Sequence, residues 1–517
     1  MNSGPQNRGI RSNIFKIFTG TFISRIFGFV REMVVAWFFG TSRTADAFSF
    51  ALIFPNLFRQ ILGEDMVERA FMPPFKTKYD QGDVKGSWKF LSVIFNWFFV
   101  SLLIVMTLLY LVTPVIFLVL KKFNTGADFD YDLSLKLIFI LMPFMLFIGL
   151  AAFVGSLLNF FERNWIFGFA PIMLSVGVIA GIVWLEPVIG DYSIAAGYLL
   201  GALLQFIVHI PFLVSKKFRD ETKISYSSAF KDPSNDYSVI KRESKIITLN
   251  AVFNKSAEFF DRLIATWLIT GSASSLFYSQ RLFQLPFAII SLPITRGINP
   301  MLNRLKSVND SEKFTEIFGK GSRIYYRILI PVTVICIAAS DEIVSVIYQR
   351  GAFDAASLKM TSQAFVMYSL GLIPVSFAGY YMRVLSLVSK NIHSLKVSVV
   401  SAGINIVLSY ILAVFTPLGH AGVALGTSLA FYYNMVRLNS YIKVEMKDLL
   451  IPGKKGFFNK DVMVSAAAGI ILIFALRSHY FSEINIFDGI LNTISTGTIK
   501  TLVVLSTYFL IGRLLKK

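Results

Sequence analysis

Residues 134–159 read SLKLIFILMPFMLFIGLAAFVGSLLN, 26 positions in which Lys136 is the sole formal charge. A helix crossing the roughly 30 Å hydrocarbon layer needs about 20 mainly apolar residues, because no water is present there to satisfy backbone N–H and C=O groups. This stretch meets that need, and similar runs recur from one end of the chain to the other. With 55% hydrophobic and 15% aromatic residues among 517, and a mean hydropathy of +0.62, the chain is too evenly apolar to be a set of soluble domains. It reads as an all-α polytopic membrane protein.

Apolar runs bounded by charges, Gly or Pro place spans near 13–39, 44–62, 90–119, 134–159, 165–185 and 193–215, then near 247–269, 273–302, 324–348, 358–388, 394–416 and 419–442. Two more follow near 462–479 and 495–514, giving about fourteen transmembrane helices. The expected organisation is a six-helix N-lobe (1–215), a cytoplasmic connector (216–246), a six-helix C-lobe (247–443), a basic connector (444–461) with Lys447, Lys454, Lys455 and Lys460, and a final helix pair (462–517).

Cytoplasmic loops carry the excess of Lys and Arg. With the amino end inside, inner loops hold about 33 of the 50 such residues and outer loops about 7, which puts both termini in the cytoplasm. The formal charge of +19 is thus spread between helices rather than gathered on one basic face. That distribution points to topology and membrane lipid headgroups, and away from nucleic acid. The polar segment Met1–Ser12 leads into a long interrupted helix without a small-residue cleavage site, so no removable signal peptide is expected.

The lone Cys336 and the scattered His209, His393, His420 and His479 exclude a disulfide framework and any site with His/Cys metal spacing. No Gly-rich phosphate loop followed by Lys-Ser/Thr occurs, and no nucleophile–base constellation stands out. The expectation is a transporter rather than an enzyme, without a cofactor, driven by an ion gradient, the membrane potential or consumption of product.

Two halves resemble each other. Val35-Ala36-Trp37-Phe38-Phe39-Gly40 pairs with Ala265-Thr266-Trp267-Leu268-Ile269-Thr270-Gly271, Arg163-Asn164 with Lys390-Asn391, and Ala196-Gly197…Gly201 with Ala421-Gly422…Gly426. A six-helix repeat of constant orientation predicts a pseudo-twofold along the membrane normal and a cavity at the repeat interface.

Charges inside spans cost about 2.5–3.5 kcal/mol each and persist where they face a cavity, a partner or the interface. Ser24-Arg25-Ile26-Phe27-Gly28-Phe29-Val30-Arg31-Glu32 places two arginines in the first span; Asp46, Asn56 and Arg59 follow around Pro55, and Arg281 stands between Gln280 and Gln284. The guanidinium fork suits phosphate oxygens, and several arginines from separate helices could neutralise a diphosphate. The competing reading is that Glu32, Asp46 and other carboxylates pair with them to lock helices together. For one arginine the two readings are evenly matched; for the group, the anion site is favoured. Asn254, Glu258 and Asp261 lie along one face of the seventh span with Lys255 and Arg262 beside them, a set suited to internal pairing or, less favoured, to Na⁺ or proton handling.

The run Ser24–Glu32, followed by Thr44-Ala45-Asp46-Ala47-Phe48, Pro55-Asn56-Leu57-Phe58-Arg59 and Ala70-Phe71-Met72-Pro73, resembles the MurJ (MviN) family of lipid II flippases, within the multidrug/oligosaccharidyl-lipid/polysaccharide exporter superfamily. Further similarity falls at Ala170-Pro171, Gly201 to Gln205, Asp261-Arg262-Leu263, Gly271-Ser272-Ala273-Ser274, Arg281-Leu282 and Arg350-Gly351-Ala352-Phe353, covering nearly the whole chain. The resemblance implies a protein of the bacterial cytoplasmic (inner) membrane that moves lipid II, the undecaprenyl-diphosphate-linked disaccharide pentapeptide, to the periplasmic leaflet by alternating access, alongside cell-wall synthesis proteins. It implies two lobes enclosing a cationic central cavity, with the last two helices forming a groove for the lipid tail. By motif position the substrate-binding residues are Ser24, Arg25, Arg31, Asp46, Asn56, Arg59, Ser274 and Arg281, with Glu32, Gln280, Gln284 and Arg383 as secondary candidates.

The chain departs from the family pattern in three places. Gln280 and Gln284 stand where many members have acids, and Gly379 where some have a lysine, with Arg383 one turn beyond. The Na⁺ site implied by the resemblance falls on Asp261, Asn405, Val423 and Thr427, with Ser409 in place of an expected acid, which removes one ligand charge. Na⁺ coupling and dependence on the membrane potential both stay open. The alternatives are an exporter of another polyprenyl-linked sugar of O-antigen type, a cation-coupled drug exporter, whose cavity should be rich in acids, and a non-transporting scaffold. Arg262, Arg296 and Arg383 have no assigned role.

Overall fold

The computed structural model describes residues 23–58, 66–123, 128–233, 235, 237–308, 310–388, 390–447, 460–477 and 490–514. Among these the regular elements are helical: α1 (23–39), α2 (Arg43–Ala51), α3 (Ile53–Phe58), α4 (Met72–Asp80), α5 (Val84–Phe123), α6 (Tyr131–Phe160), α7 (Asn164–Ile189), α8 (Ser193–Ile207), α9 (Ile210–Val214) and α10 (Lys216–Thr222). Then come α11 (Ser238–Ala265), α12 (Ser272–Pro286), α13 (Leu292–Ser307), α14 (Ser311–Ala338), α15 (Ser340–Tyr348), α16 (Ala355–Ser369), α17 (Leu372–Leu387), α18 (Asn391–Val414), α19 (His420–Glu445), α20 (Lys460–Arg477) and α21 (Ile490–Leu514). The chain forms two compact units, Met1–Lys255 and Ser256–Lys517, whose boundary falls inside α11.

Among the described residues, five stretches are long and apolar enough to cross a membrane: Val84–Lys122, Tyr131–Phe160, Gly168–Val214, Ser311–Ala338 and Ile392–Val414; α16 and α17 form a sixth, bent by 44°. Proline interrupts two of the other expected spans. The span expected at 44–62 divides at Leu52, because Pro55 has no N–H to offer the carbonyl of Ala51 and its ring crowds that turn. The span expected at 273–302 passes through a π-helical turn, Phe287–Ser291, just before Pro293. A second π turn, Val67–Phe71, precedes Pro73 and Pro74 in the first unit. The two halves share this irregularity as well as sequence.

Helix starts follow local chemistry. Asp130, Asp310 and Asp354 each accept a backbone N–H three residues on, at 2.8 to 3.0 Å. Those donors hold the Asp310 and Asp354 carboxyls below their ordinary range.

Two hairpins carry the repeat most clearly. Between α7 and α8 the corner is Gly190 (φ 53°, ψ −125°), and between α18 and α19 it is Gly419 (φ 52°, ψ −128°), a conformation that a Cβ would clash with. In the first hairpin, a Cβ on Gly177 would overlap Gly201 Cα and one on Gly181 would overlap Gly197 Cα. In the second, a Cβ on Gly422 would lie 2.5 Å from the Leu412 carbonyl oxygen and one on Gly426 2.6 Å from Ser409 N. Bare glycine backbones let the helices pack by close van der Waals contact, which is what drives association where lipid offers no hydrophobic contrast.

The connector between the halves is fastened down. Trp88 Nε1 donates to the Thr222 carbonyl (2.8 Å), Asn96 Nδ2 to those of Ser227 and Ala229 (3.0 and 2.9 Å), and Trp97 Nε1 to that of Phe230 (2.9 Å), while Lys89 pairs with Asp232 (3.1 Å). These groups lie along α5, and α11 then begins at Ser238, ahead of the start expected at 247. Lys241, Arg242, Glu243 and Lys245 end an apolar run without ending a helix, since water satisfies their charges on a helical turn as well as in a loop.

The last helix is tied to its own unit by a pair absent from the expected site. Buried Lys500 on α21 donates to Glu342 Oε1 at 2.5 Å and to the Ala338 carbonyl at 3.3 Å, beside the apolar contact of Val334, Ala338, Leu476 and Val504. Breaking one side of such a pair costs about 3–5 kcal/mol, whereas replacing both sides is close to neutral. Lys500→Met is therefore expected to lower the thermal midpoint by several degrees, and Lys500→Met with Glu342→Gln to recover most of it. Equal midpoints for the two variants would count against the tie.

Candidate functional site

In the first unit, Arg31 leaves α1 to meet Glu32 Oε1 at 2.6 Å and to stand 5.3 Å from the centroid of the Tyr198 ring on α8. Tyr198 in turn contacts Phe48 of α2 at 5.0 Å between centroids. The Arg31–Glu32 pair lies within α1, the Tyr198 ring supplies the contact of Arg31 with α8, and the guanidinium remains partly accessible at 14% side-chain exposure. Asp46 is buried in the first turn of α2, where the helix dipole favours an anion, and Ser42 caps that helix by accepting the Ala45 N–H at 3.3 Å. Arg25 is exposed, and Ser24 and Asn56 are half-buried; Arg59 lies outside the described residues. A cation that must meet a ligand has to be reachable, and the arginines that are sunk most deeply have protein partners.

The second unit contains two linked clusters. In one, Arg262 of α11 is 2% exposed and donates from Nη1 to the Ala273 carbonyl (3.2 Å) and from Nη2 to Gln280 Oε1 (3.0 Å). Its guanidinium carbon lies 5.2 Å from the centroid of Phe277, and that of Arg281 lies 4.8 Å from the same ring. Arg281 is half-buried, so the ring supports it while leaving part of the fork accessible. Gln284 is exposed. Ser274 is buried and donates to the Gly271 carbonyl at 3.3 Å within its own turn.

The neighbouring cluster draws together every residue of the expected cation site. Ser409 Oγ donates to Asp261 Oδ1 at 2.9 Å and Thr427 Oγ1 to Oδ2 at 2.8 Å, and each hydroxyl oxygen also lies 3.2 Å from the Val423 carbonyl oxygen. With its amide nitrogen turned to the carboxylate, Asn405 donates to Asp261 Oδ1 at 3.2 Å and accepts the Thr427 N–H at 3.3 Å. The donor set is hard oxygen throughout, with one carboxylate. It suits a monovalent cation better than a divalent one, and among the described residues no group of three His, Cys, Asp or Glu could hold a metal. Ser409 closes the cage by hydrogen-bonding the Asp261 carboxylate, which a second acid at that position would repel.

Of the remaining expectations, Glu258 is half-buried on α11 and Arg383 is exposed on α17, while the side chains of Asn254 and Arg296 lie outside what the structure describes. Sequence reading missed Lys500–Glu342 and the part played by Phe277 and Tyr198. A buried cation in an apolar span was a signal available for Lys500; an aromatic residue among 71 Phe and Tyr offers none.

A family model described as "Lipid II flippase MurJ" matches residues 35–491. A protein named "Probable lipid II flippase MurJ" from Rickettsia prowazekii is 28% identical over 478 residues, covering 92% of this chain and 91% of its own. One of the same name from Vibrio cholerae is 29% identical over 439 residues, covering 81% and 80%. Among solved structures, "Lipid II flippase MurJ, inward closed conformation" superposes with a TM-score of 0.75 at 24% identity, over 97% of this chain and 99% of that one. An inward-facing multidrug resistance transporter of the MATE family superposes with a TM-score of 0.65 at 15% identity, over 90% and 99%.

Proposed function

This chain belongs to the MurJ family of lipid II flippases, and from that membership we propose that its cavity arginines, Arg281 foremost, hold the diphosphate of lipid II during its passage. It is a membrane transporter and not an enzyme, its substrate is lipid II, and its helical fold is one that works by alternating access. Translocation runs from the cytoplasmic to the periplasmic leaflet of the inner membrane, with both termini in the cytoplasm, as the charge of the connectors favours.

The observation that supports the site is Arg281, half-buried and laid over Phe277, with glutamines at 280 and 284 where acids would draw its charge inward. Arg25 is exposed on α1 and Arg31 remains partly accessible, and these two, with Arg59, would add positive charge to the grip. Fork-shaped donors suit a diphosphate because each can offer two parallel N–H bonds to its oxygens. The cavity of a cation-coupled drug exporter needs the opposite sign, and the MATE likeness extends to the fold alone.

Energy is supplied by the membrane potential acting on an anionic headgroup, or by Na⁺ held on Asp261, Asn405, Val423 and Thr427. One assay addresses both. In vesicles reconstituted with the protein and lipid II, translocation is expected to require the protein and to rise with an imposed potential; replacing Na⁺ by choline is expected to change it less, because Ser409 leaves the cage a single carboxylate. Normal flipping in cells depleted of the protein, with no second flippase present, would overturn the assignment.

A further inference from the structure

Arg262 was the deepest charge left without a role. Its two donated hydrogen bonds reach Ala273 and Gln280, seven positions apart on α12, and Phe277 lies between them on the same helical face. One guanidinium therefore spans two turns of the helix that carries Arg281, and both cations share the Phe277 ring, which is 4% exposed. A buried arginine normally takes a carboxylate as its direct partner; the side-chain hydrogen-bond acceptor of Arg262 is instead the neutral amide of Gln280, while the carboxylates of Glu258 and Asp261 act on its charge without hydrogen-bonding it.

We propose that Arg262 is a positioning residue for Arg281. By clamping Ala273 and Gln280 it fixes the rotation of that face of α12 and holds Phe277 as a platform. Its own charge opposes any retreat of Arg281 into the protein, so the Arg281 fork stays turned toward an incoming anion. An arginine is needed for this because a lysine ammonium cannot reach a carbonyl and an amide two turns apart in fixed geometry. The neighbouring residue, Asp261, anchors α11 to α18 and α19 through Thr427 and Ser409, which gives the clamp a fixed base.

The inference rests on the assignment of Arg281 to the lipid II site, and the test separates the two. Lipid II affinity is measured for the purified full chain and for Arg262→Met, Arg281→Ala and the double variant, with thermal midpoints alongside. Arg281→Ala is expected to weaken binding about 30-fold and Arg262→Met about tenfold, and the double variant should match Arg281→Ala within about twofold, since a residue acting through another adds nothing once that other is gone. Wild-type affinity for Arg281→Ala overturns both readings. A weakened Arg281→Ala with additive losses, or with Arg262→Met binding as wild type, overturns this inference alone. Should Arg262→Met fail to accumulate, Phe277→Leu removes the platform with the clamp in place and enters the same cycle with the same expected non-additivity.

Discussion

Arg281→Ala should abolish lipid II translocation while the protein inserts and accumulates as before. The second half of that expectation follows from the surroundings of the side chain: it is half-buried, and the structural work on α12 is carried by Arg262, through its bonds to Ala273 and Gln280. The first half follows from the worth of a desolvated charge pair. Removing one partner of a buried, hydrogen-bonded pair costs about 2–5 kcal/mol, and each 1.4 kcal/mol is about tenfold in affinity, so the loss should exceed about 25-fold. Arg281→Lys should fall between, keeping the charge and losing the fork. Complementation of a depleted strain, scored beside membrane abundance, reads both halves at once; full growth on Arg281→Ala would mean that this arginine does not hold the substrate.

The all-helical membrane class and the longest spans were legible because they depend on averages over twenty residues. Residues 134–159 had to be a buried helix, and α6 spans Tyr131–Phe160. The repeat was legible for a different reason: Gly197 and Gly422, or Gly201 and Gly426, cannot be exchanged for other residues where two backbones touch, so the letters themselves recur. Breaks were harder to read. Pro55 announced an interruption and Pro293 went unread, and whether a helix answers proline with a stop at Leu52 or a π turn at Phe287–Ser291 depends on the packing around it.

The candidate site was legible in its residue types and not in its pairings. Arg31 and Arg262 are both arginines in apolar surroundings, and nothing in sequence says that one meets the adjacent Glu32 while the other reaches a glutamine eighteen residues on. The cage around Asp261 shows the limit from the other side. Asn405, Ser409 and Thr427 are ordinary polar residues at helical spacing, and only the resemblance tied them to Asp261, 148 residues away in the case of Ser409.

The glycine hairpins give the other large effect. Gly177→Ala adds one methyl group whose place is already taken by Gly201 Cα, and because the obstacle is backbone, no side-chain rotation can relieve it. Overpacking of this kind costs about 1–3 kcal/mol where side chains can adjust and more where they cannot, so loss of the folded protein from the membrane is expected. Gly403→Ala on α18 adds the same methyl where nothing lies within 4 Å, and is expected to be neutral or slightly stabilising, by about 0.5–1 kcal/mol, since alanine loses less backbone freedom on folding. Equal abundance of the two variants would show that α7 and α8 do not need their bare contact. Gly426→Ala carries the comparison into the second unit, where the new methyl would stand 2.6 Å from Ser409 N and 2.7 Å from its Oγ, the atom that donates to Asp261. There the same steric insult should disturb the Asp261 cage as well as the hairpin, so whatever folded Gly426→Ala protein remains should translocate more slowly per molecule, a second defect that Gly177→Ala has no means to produce.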